Sequence, residues 1–313
     1  MKLHLPLSLR SSLLALIAVS AIGQTVSAGI MNSDVSMVTY TDFGQNKGRY
    51  VTDADANALL KHLRQQSGGV VISYDGGEIL LPHEMPEFSS SANNGSYTFT
   101  GHNALLSVQH MPVYNGGLTG NDIGNSNQIV YQAIEYGTNP DTTFLHSPDG
   151  GRSEGDVAKD HKISRLSKIV TDVSSVALYS GTSQEMANTL SGELVYRAGA
   201  GEMYVRSSED GTISPLTGSH SYIIGGVDTL DGADLKDKTV VLHTWMNNPA
   251  SANAINSASP LPYASHQGDS GSPLYVYHNG RYEYIGSATE ANGSDYSRFV
   301  GAIEYDKAIL RKR

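Results

Sequence analysis

Apolar residues along this chain come in short bursts, each closed by glycine, asparagine, serine or proline, a pattern of strands and turns. Residues 70–74 (VVISY) lie between two glycine pairs, and residues 97–100 (YTFT) follow an Asn-Asn-Gly-Ser turn. Residues 104–108 read as a buried strand that ends just before His110. Further strands are expected at 128–136, 193–197, 203–205, 239–243, 274–277 and 282–285. Helical spacing is rarer. Residues 53–64 place Ala56, Leu59, Leu60 and Leu63 on one face behind an N-terminal Asp, and the last dozen residues read as a second helix. Polar stretches at 139–160 and 180–188 read as loops, the second joining two halves of similar size. The expectation is an all-β fold of two units with a cleft between them.

The first 28 residues read as something else. Lys2 and Arg10 precede an apolar run from Leu13 to Ile22, and Val26-Ser27-Ala28 supplies small residues for signal peptidase. The run is about half of the ~20 residues that span a bilayer, so a cleaved secretory signal is expected, with Gly29 as the new terminus and no stable membrane anchor. The chain is acidic, with a formal net charge of −10 over 313 residues, and no basic patch points to nucleic acid. It has no cysteine, which removes thiol chemistry and disulfides. No HExxH, paired histidines, calcium loop or phosphate cradle is present, so no metal and no cofactor are expected.

HQGDSGSPLYVY, residues 266–277, is the strongest chemical signal. A serine hydroxyl is a poor nucleophile until a base takes its proton. Gly268 lacks a Cβ, so its N–H can turn toward the same point as that of Ser270 and form a two-donor oxyanion hole. His110, between an apolar strand and a polar loop, is the candidate base, while His102 at the other end of that segment reads as a surface residue. A carboxylate should hold the imidazole, and Asp160, Asp156 and Asp172 compete for that role. A lipase-type esterase fits poorly, because such enzymes usually place the serine before its partners and follow it with a helix.

The order His110, Asp160, Ser270 with GDSGSP resembles the chymotrypsin-like serine proteases, and more narrowly the IgA-protease-like autotransporter proteases of Gram-negative bacteria. TDFGQNKGRY (41–50), MPEFSSS (85–91), LLSVQH (105–110), DHKISRLSKIVTDV (160–173), YRAGAGEMYV (196–205) and GDSGSPLYVYHNGRYEYIG (268–286) are each similar to a segment of that family, with Gln45 where Glu is usual. The resemblance implies a double antiparallel β-barrel with the active site between barrels: residues 29–178 carrying His110 and Asp160, and residues 179–313 carrying Ser270. It implies catalysis by His110, Asp160 and Ser270, with the Gly268 and Ser270 amides as oxyanion donors and Asp160 preferred over its rivals. It places Ala264, six residues before the serine, at the base of the primary specificity pocket, which suits a small or hydrophobic side chain. With 43 residues after Ser270, no counterpart of the family's stalk and translocator barrel is expected within this sequence. A secreted endopeptidase acting on extracellular or host proteins is therefore expected, with a catalytically silent adhesin on the same fold as the alternative.

Overall fold

β-Branched and tyrosine-rich segments form most of the structure, a computed structural model that describes residues 27–45, 63–66, 68–92, 95–111, 115–117, 130–135, 154–171, 173–216, 222–245, 255, 257–266, 268–292 and 296–311. Among them lie three sheets. The largest runs Gly232–Lys236, Thr239–Trp245, Tyr296–Gly301, Arg281–Asn292, Pro273–His278, Leu194–Arg206, Ser27–Asn32 and Tyr263–Ser265, with three further strands attached. A second orders Thr98–Gly101, Ala104–Ser107, Lys162–Leu166, Val130–Glu135 and Asn115–Gly117, and a third holds Leu63–Gln66, Gly69–Tyr74 and Gly77–Leu81. The fold is mostly β, as the turn-punctuated pattern predicts.

Leu194–Arg206 is the spine of the large sheet. The sequence suggests two strands here, interrupted by glycines, yet the chain runs extended for 13 residues. One of its edges pairs antiparallel with Tyr222–Thr229 and another stretch with Pro273–His278, while its far end pairs parallel with Ser27–Asn32. In the second sheet, Ala104–Ser107 is buried on both faces, as expected. Leu106 and its partner Ile163 face the main core, while Leu105 joins Tyr97, Phe99 and Leu166 in a separate cluster.

Four expectations change. The helix at 53–64 lies mostly outside the described residues, but Leu63 and Arg64 open a strand paired with Gly69–Tyr74. The loop at 180–188 contains the helix Ser183–Thr189, where Thr182 and Glu185 form a reciprocal capping box. Only a narrow side of that helix is buried, through Ser183 and Met186, so no apolar stripe betrays it. The loop at 139–160 ends in the short helix Glu154–Lys159. Finally, Ser27–Asn32 and the helix Met37–Gly44 join the sheet that carries Ser270, not the sheet beside His110. Tyr40 explains this placement. Its hydroxyl accepts from the Asn32 amide at 3.0 Å and donates to the Pro262 carbonyl at 2.8 Å, and Gly44 abuts the backbone of Ile224 and Gly225. No helix among the described residues is long and apolar enough to cross a membrane.

Asp228, on Tyr222–Thr229, is a buried carboxyl away from the site. Its Oδ1 accepts from Ser259 Oγ and the Thr229 amide, both at 2.9 Å, and its Oδ2 has no hydrogen-bond partner among the described residues. Burial pushes it up to about 8. A carboxyl raised in the folded state adds stability below its unfolded pKa and loses it as pH climbs through the folded one. Urea midpoints should therefore fall between pH 5 and pH 8.5. Asp228→Asn should flatten that fall by on the order of 1–3 kcal/mol, and an unchanged slope would refute the assignment.

Candidate active site

Register alone brings His110 and Asp160 together. Ala104–Ser107 pairs antiparallel with Lys162–Leu166, with Ser107 opposite Lys162, so the residues just after the first strand lie beside those just before the second. His110 occupies a turn closed by a bond from the Met111 amide to the Val108 carbonyl. Asp160 ends the helix Glu154–Lys159, and its amide donates to the Val157 carbonyl. Asp160 is 1% exposed. Its Oδ2 lies 2.7 Å from His110 Nδ1, and its Oδ1 accepts from the His110 amide at 3.1 Å. Two contacts from one residue fix both the ring and its backbone.

Ser270 reaches the pair from the other sheet. His110 Nε2 lies 2.6 Å from Ser270 Oγ. With the Nδ1 proton directed at a carboxylate, Nε2 is the acceptor and the Ser270 hydroxyl donates. Asp156 sits on the helix Glu154–Lys159, whereas Asp172 lies outside the described residues. His102 is exposed, in a left-handed turn at φ 53°.

The serine turn is closed by its own backbone. The Asp269 amide donates to the His266 carbonyl and the Ser272 amide to the Asp269 carbonyl. Gly271 donates to the Ala288 carbonyl, and Ala288 in turn to the Ser272 carbonyl. Gly268 and Gly271 adopt φ of 106° and 83°, where a side chain is strained. Among the described residues, the Gly268 and Ser270 amides donate to no protein acceptor, which leaves two donors for a ligand oxygen.

The Asp269 side chain turns inward. Its Oδ2 accepts from the His266 amide at 3.1 Å, and Tyr263 Oη donates to the carboxylate at 3.2 Å. Burial pushes this carboxyl up to about 7, against the pull of the Arg197 guanidinium. Ala264 is buried, pairs with Ile30 and packs with Ile30, Tyr204 and Ile213.

Thr289 is a member that sequence reading missed. From Arg281–Asn292 its hydroxyl donates to Asp160 Oδ2, the same oxygen that faces His110. Only the pairing of neighbouring Ala288 with the serine turn reveals it. No cluster of three metal-ligating side chains occurs among the described residues.

A mostly β chain with aspartate, histidine and serine in one hydrogen-bonded line falls in the class of serine-protease-like proteins. The chain belongs to the immunoglobulin A1 protease family, whose sequence model matches residues 28–306. It is 26% identical over 275 residues to the serine protease EatA of Escherichia coli, covering 86% of this chain and 17% of that protein. It is 24% identical over 304 residues to the serine protease SepA autotransporter of Shigella flexneri, covering 94% and 19%. The adhesion and penetration protein autotransporter of Haemophilus influenzae matches at 24% over 266 residues, covering 82% and 17%. The chain thus spans less than a fifth of these relatives. The crystal structure of the Haemophilus influenzae Hap adhesin has the same fold, with a TM-score of 0.60 at 17% identity over 90% of this chain and 28% of that one.

Gly271 is where the serine turn meets the segment beside the His110 strand. A Cβ there would lie 2.1 Å from the Ser96 carbonyl oxygen and 2.4 Å from Ser107 Oγ, besides its positive φ. Gly271→Ala should cost about 2–3 kcal/mol by overpacking and strain. A thermal midpoint within one degree of the parent protein would contradict this close approach.

Proposed function

We propose that the protein is an exported serine endopeptidase whose two β-barrels hold the active site in the cleft between them. The observation that carries this is the position of the His110 ring, 2.7 Å from Asp160 and 2.6 Å from Ser270. In this reading Ser270 attacks the scissile carbonyl while His110 Nε2 takes its proton. The tetrahedral oxyanion forms against the Gly268 and Ser270 amides. His110 then passes the proton to the leaving amine, and water, activated by the same imidazole, cleaves the acyl-enzyme. Asp160 holds the ring in the tautomer that can accept at Nε2 and stabilises the imidazolium.

Ala264 brings no carboxylate to the base of the primary pocket, which favours cleavage after small or hydrophobic residues over arginine or lysine. The N-terminal pattern of basic, apolar and small residues supports export by a signal peptide. Relatives named as serine proteases and autotransporters support the same setting and a substrate that is itself protein.

Purified protein should react with a fluorophosphonate probe, and Ser270→Ala should abolish labelling. Undiminished labelling of that variant would sink the assignment, and surface adhesion with no labelling of the parent protein would favour an adhesin. Within the enzyme, Asp160→Asn should lower kcat by about 10⁴-fold by allowing the wrong imidazole tautomer. Thr289→Val removes one donor to the carboxylate and should cost roughly tenfold in kcat, measured by peptide hydrolysis. Equal rates for Thr289→Val and the parent would remove Thr289 from the site.

A further inference from the structure

Arg197 is one of the largest side chains fully enclosed by the protein, and no step of the chemistry above uses it. A buried guanidinium needs a partner, because leaving water is costly for a charge. It lies on Leu194–Arg206, opposite Leu274 of the strand that follows the serine. Its Nη2 sits 3.7 Å from Asp269 Oδ2 and donates to Ser265 Oγ, and its Nη1 donates to the Tyr263 carbonyl at 3.4 Å. The rings of Tyr263 and Phe299 flank it at 4.4 and 4.9 Å. One planar group thus binds the carboxylate of the residue before Ser270 and the strand that leads into the serine turn.

The surroundings are shaped for that carboxylate. Two positions beyond Arg197, a Cβ on Gly199 would fall 2.1 Å from Asp269 Oδ1 and 2.6 Å from Tyr263 Oη. Glycine at this point leaves space for Asp269 without breaking the strand. The backbone of Asp269 is held from both sides, as donor to His266 and acceptor from Ser272. Its side chain is the remaining handle on the peptide that presents the Ser270 amide.

Resting on the serine-endopeptidase reading, we propose that Arg197 is a positioning residue for the oxyanion turn. Its guanidinium seats the Asp269 carboxylate and so keeps the Gly268 and Ser270 amides converged on one point. The His110–Asp160 pair lies on other elements and does not depend on it.

The test compares Arg197→Lys and Arg197→Met with the parent protein, using a chromogenic peptide and a fluorophosphonate that also counts active sites. Lysine keeps the charge but cannot reach Ser265, Tyr263 and Asp269 together. Per labelled site, kcat should fall about tenfold for Arg197→Lys and about 10²-fold for Arg197→Met, the range for a lost oxyanion donor, with KM within threefold. A purely structural role would lower the number of sites that label at completion and leave kcat per site unchanged, and that result would overturn the proposal. If Arg197→Met fails to fold, Arg197→Lys decides alone, and parental kcat per site in it overturns the proposal. A parent protein that does not label refutes the endopeptidase reading, a separate outcome from labelled variants with parental kcat.

Discussion

Everything in the site depends on one hydrogen bond that crosses between sheets, from Ser270 Oγ to His110 Nε2. His110 follows a strand of the second sheet and Ser270 precedes a strand of the large one, so their 2.6 Å separation is a statement about how the two sheets pack. Several contacts hold that seam. Thr289 of the large sheet reaches Asp160, Ser90 Oγ and Tyr275 Oη meet at 2.9 Å, and the Phe88 and Tyr275 rings stack at 5.3 Å. Leu106 and Ile163 share the main core with Leu274 and Tyr275. Close-packed interiors have little compressibility, so a seam built this way can hold reacting groups to fractions of an ångström.

The two aspartates at the site are both buried, and their environments set them to different tasks. Asp160 faces donors: the His110 amide, the His110 ring and the Thr289 hydroxyl. Donors to a carboxylate favour its charged form, which is what an imidazolium partner requires. Asp269 instead faces inward to a guanidinium, a phenol and one amide, while burial pushes it up to about 7. Asp228 marks the limit of this trend. With no ion pair of its own among the described residues and only the more distant Arg197 charge pulling the other way, burial takes it to about 8.

Much of this was legible in the chain. Short apolar bursts between glycines predict the strands at 70–74, 104–108, 239–243 and 274–277, because turn residues and β-branched runs are local signals. The serine turn was readable for the same reason: Gly268 and Gly271 occupy positions whose positive φ demands glycine. Register was not legible. The preference for Asp160 over Asp156 came from resemblance, whereas in the structure it follows from Ser107 lying opposite Lys162. Thr289 and Arg197 were invisible because their partners lie 129 and 72 positions away, joined only by strand pairing. The helix Ser183–Thr189 hid for another reason, since a helix that buries two residues leaves no periodic trace.

The tyrosine excess, 18 against 5 phenylalanines in a chain without cysteine, takes on physical meaning in this setting. Buried Tyr40 ties the N-terminal strand and helix to the Pro262 carbonyl, Tyr275 ties the large sheet to Ser90, and Tyr263 ties its strand to Asp269. Tyr282 adds a bond to the Glu84 carbonyl. Burial raises these phenols, with Tyr275 at about 12, so each keeps its proton near neutral pH. A phenol fills core volume with its ring and joins distant segments with its hydroxyl, a combination phenylalanine lacks. These links are directional and non-covalent: the Tyr275 bond crosses the seam, while those of Tyr40 and Tyr263 brace the large sheet behind the serine turn. A chain without cysteine thus uses tyrosine hydroxyls to fix the segments around the serine turn, and one of them, Tyr275, to hold the large sheet against the Ser90 segment.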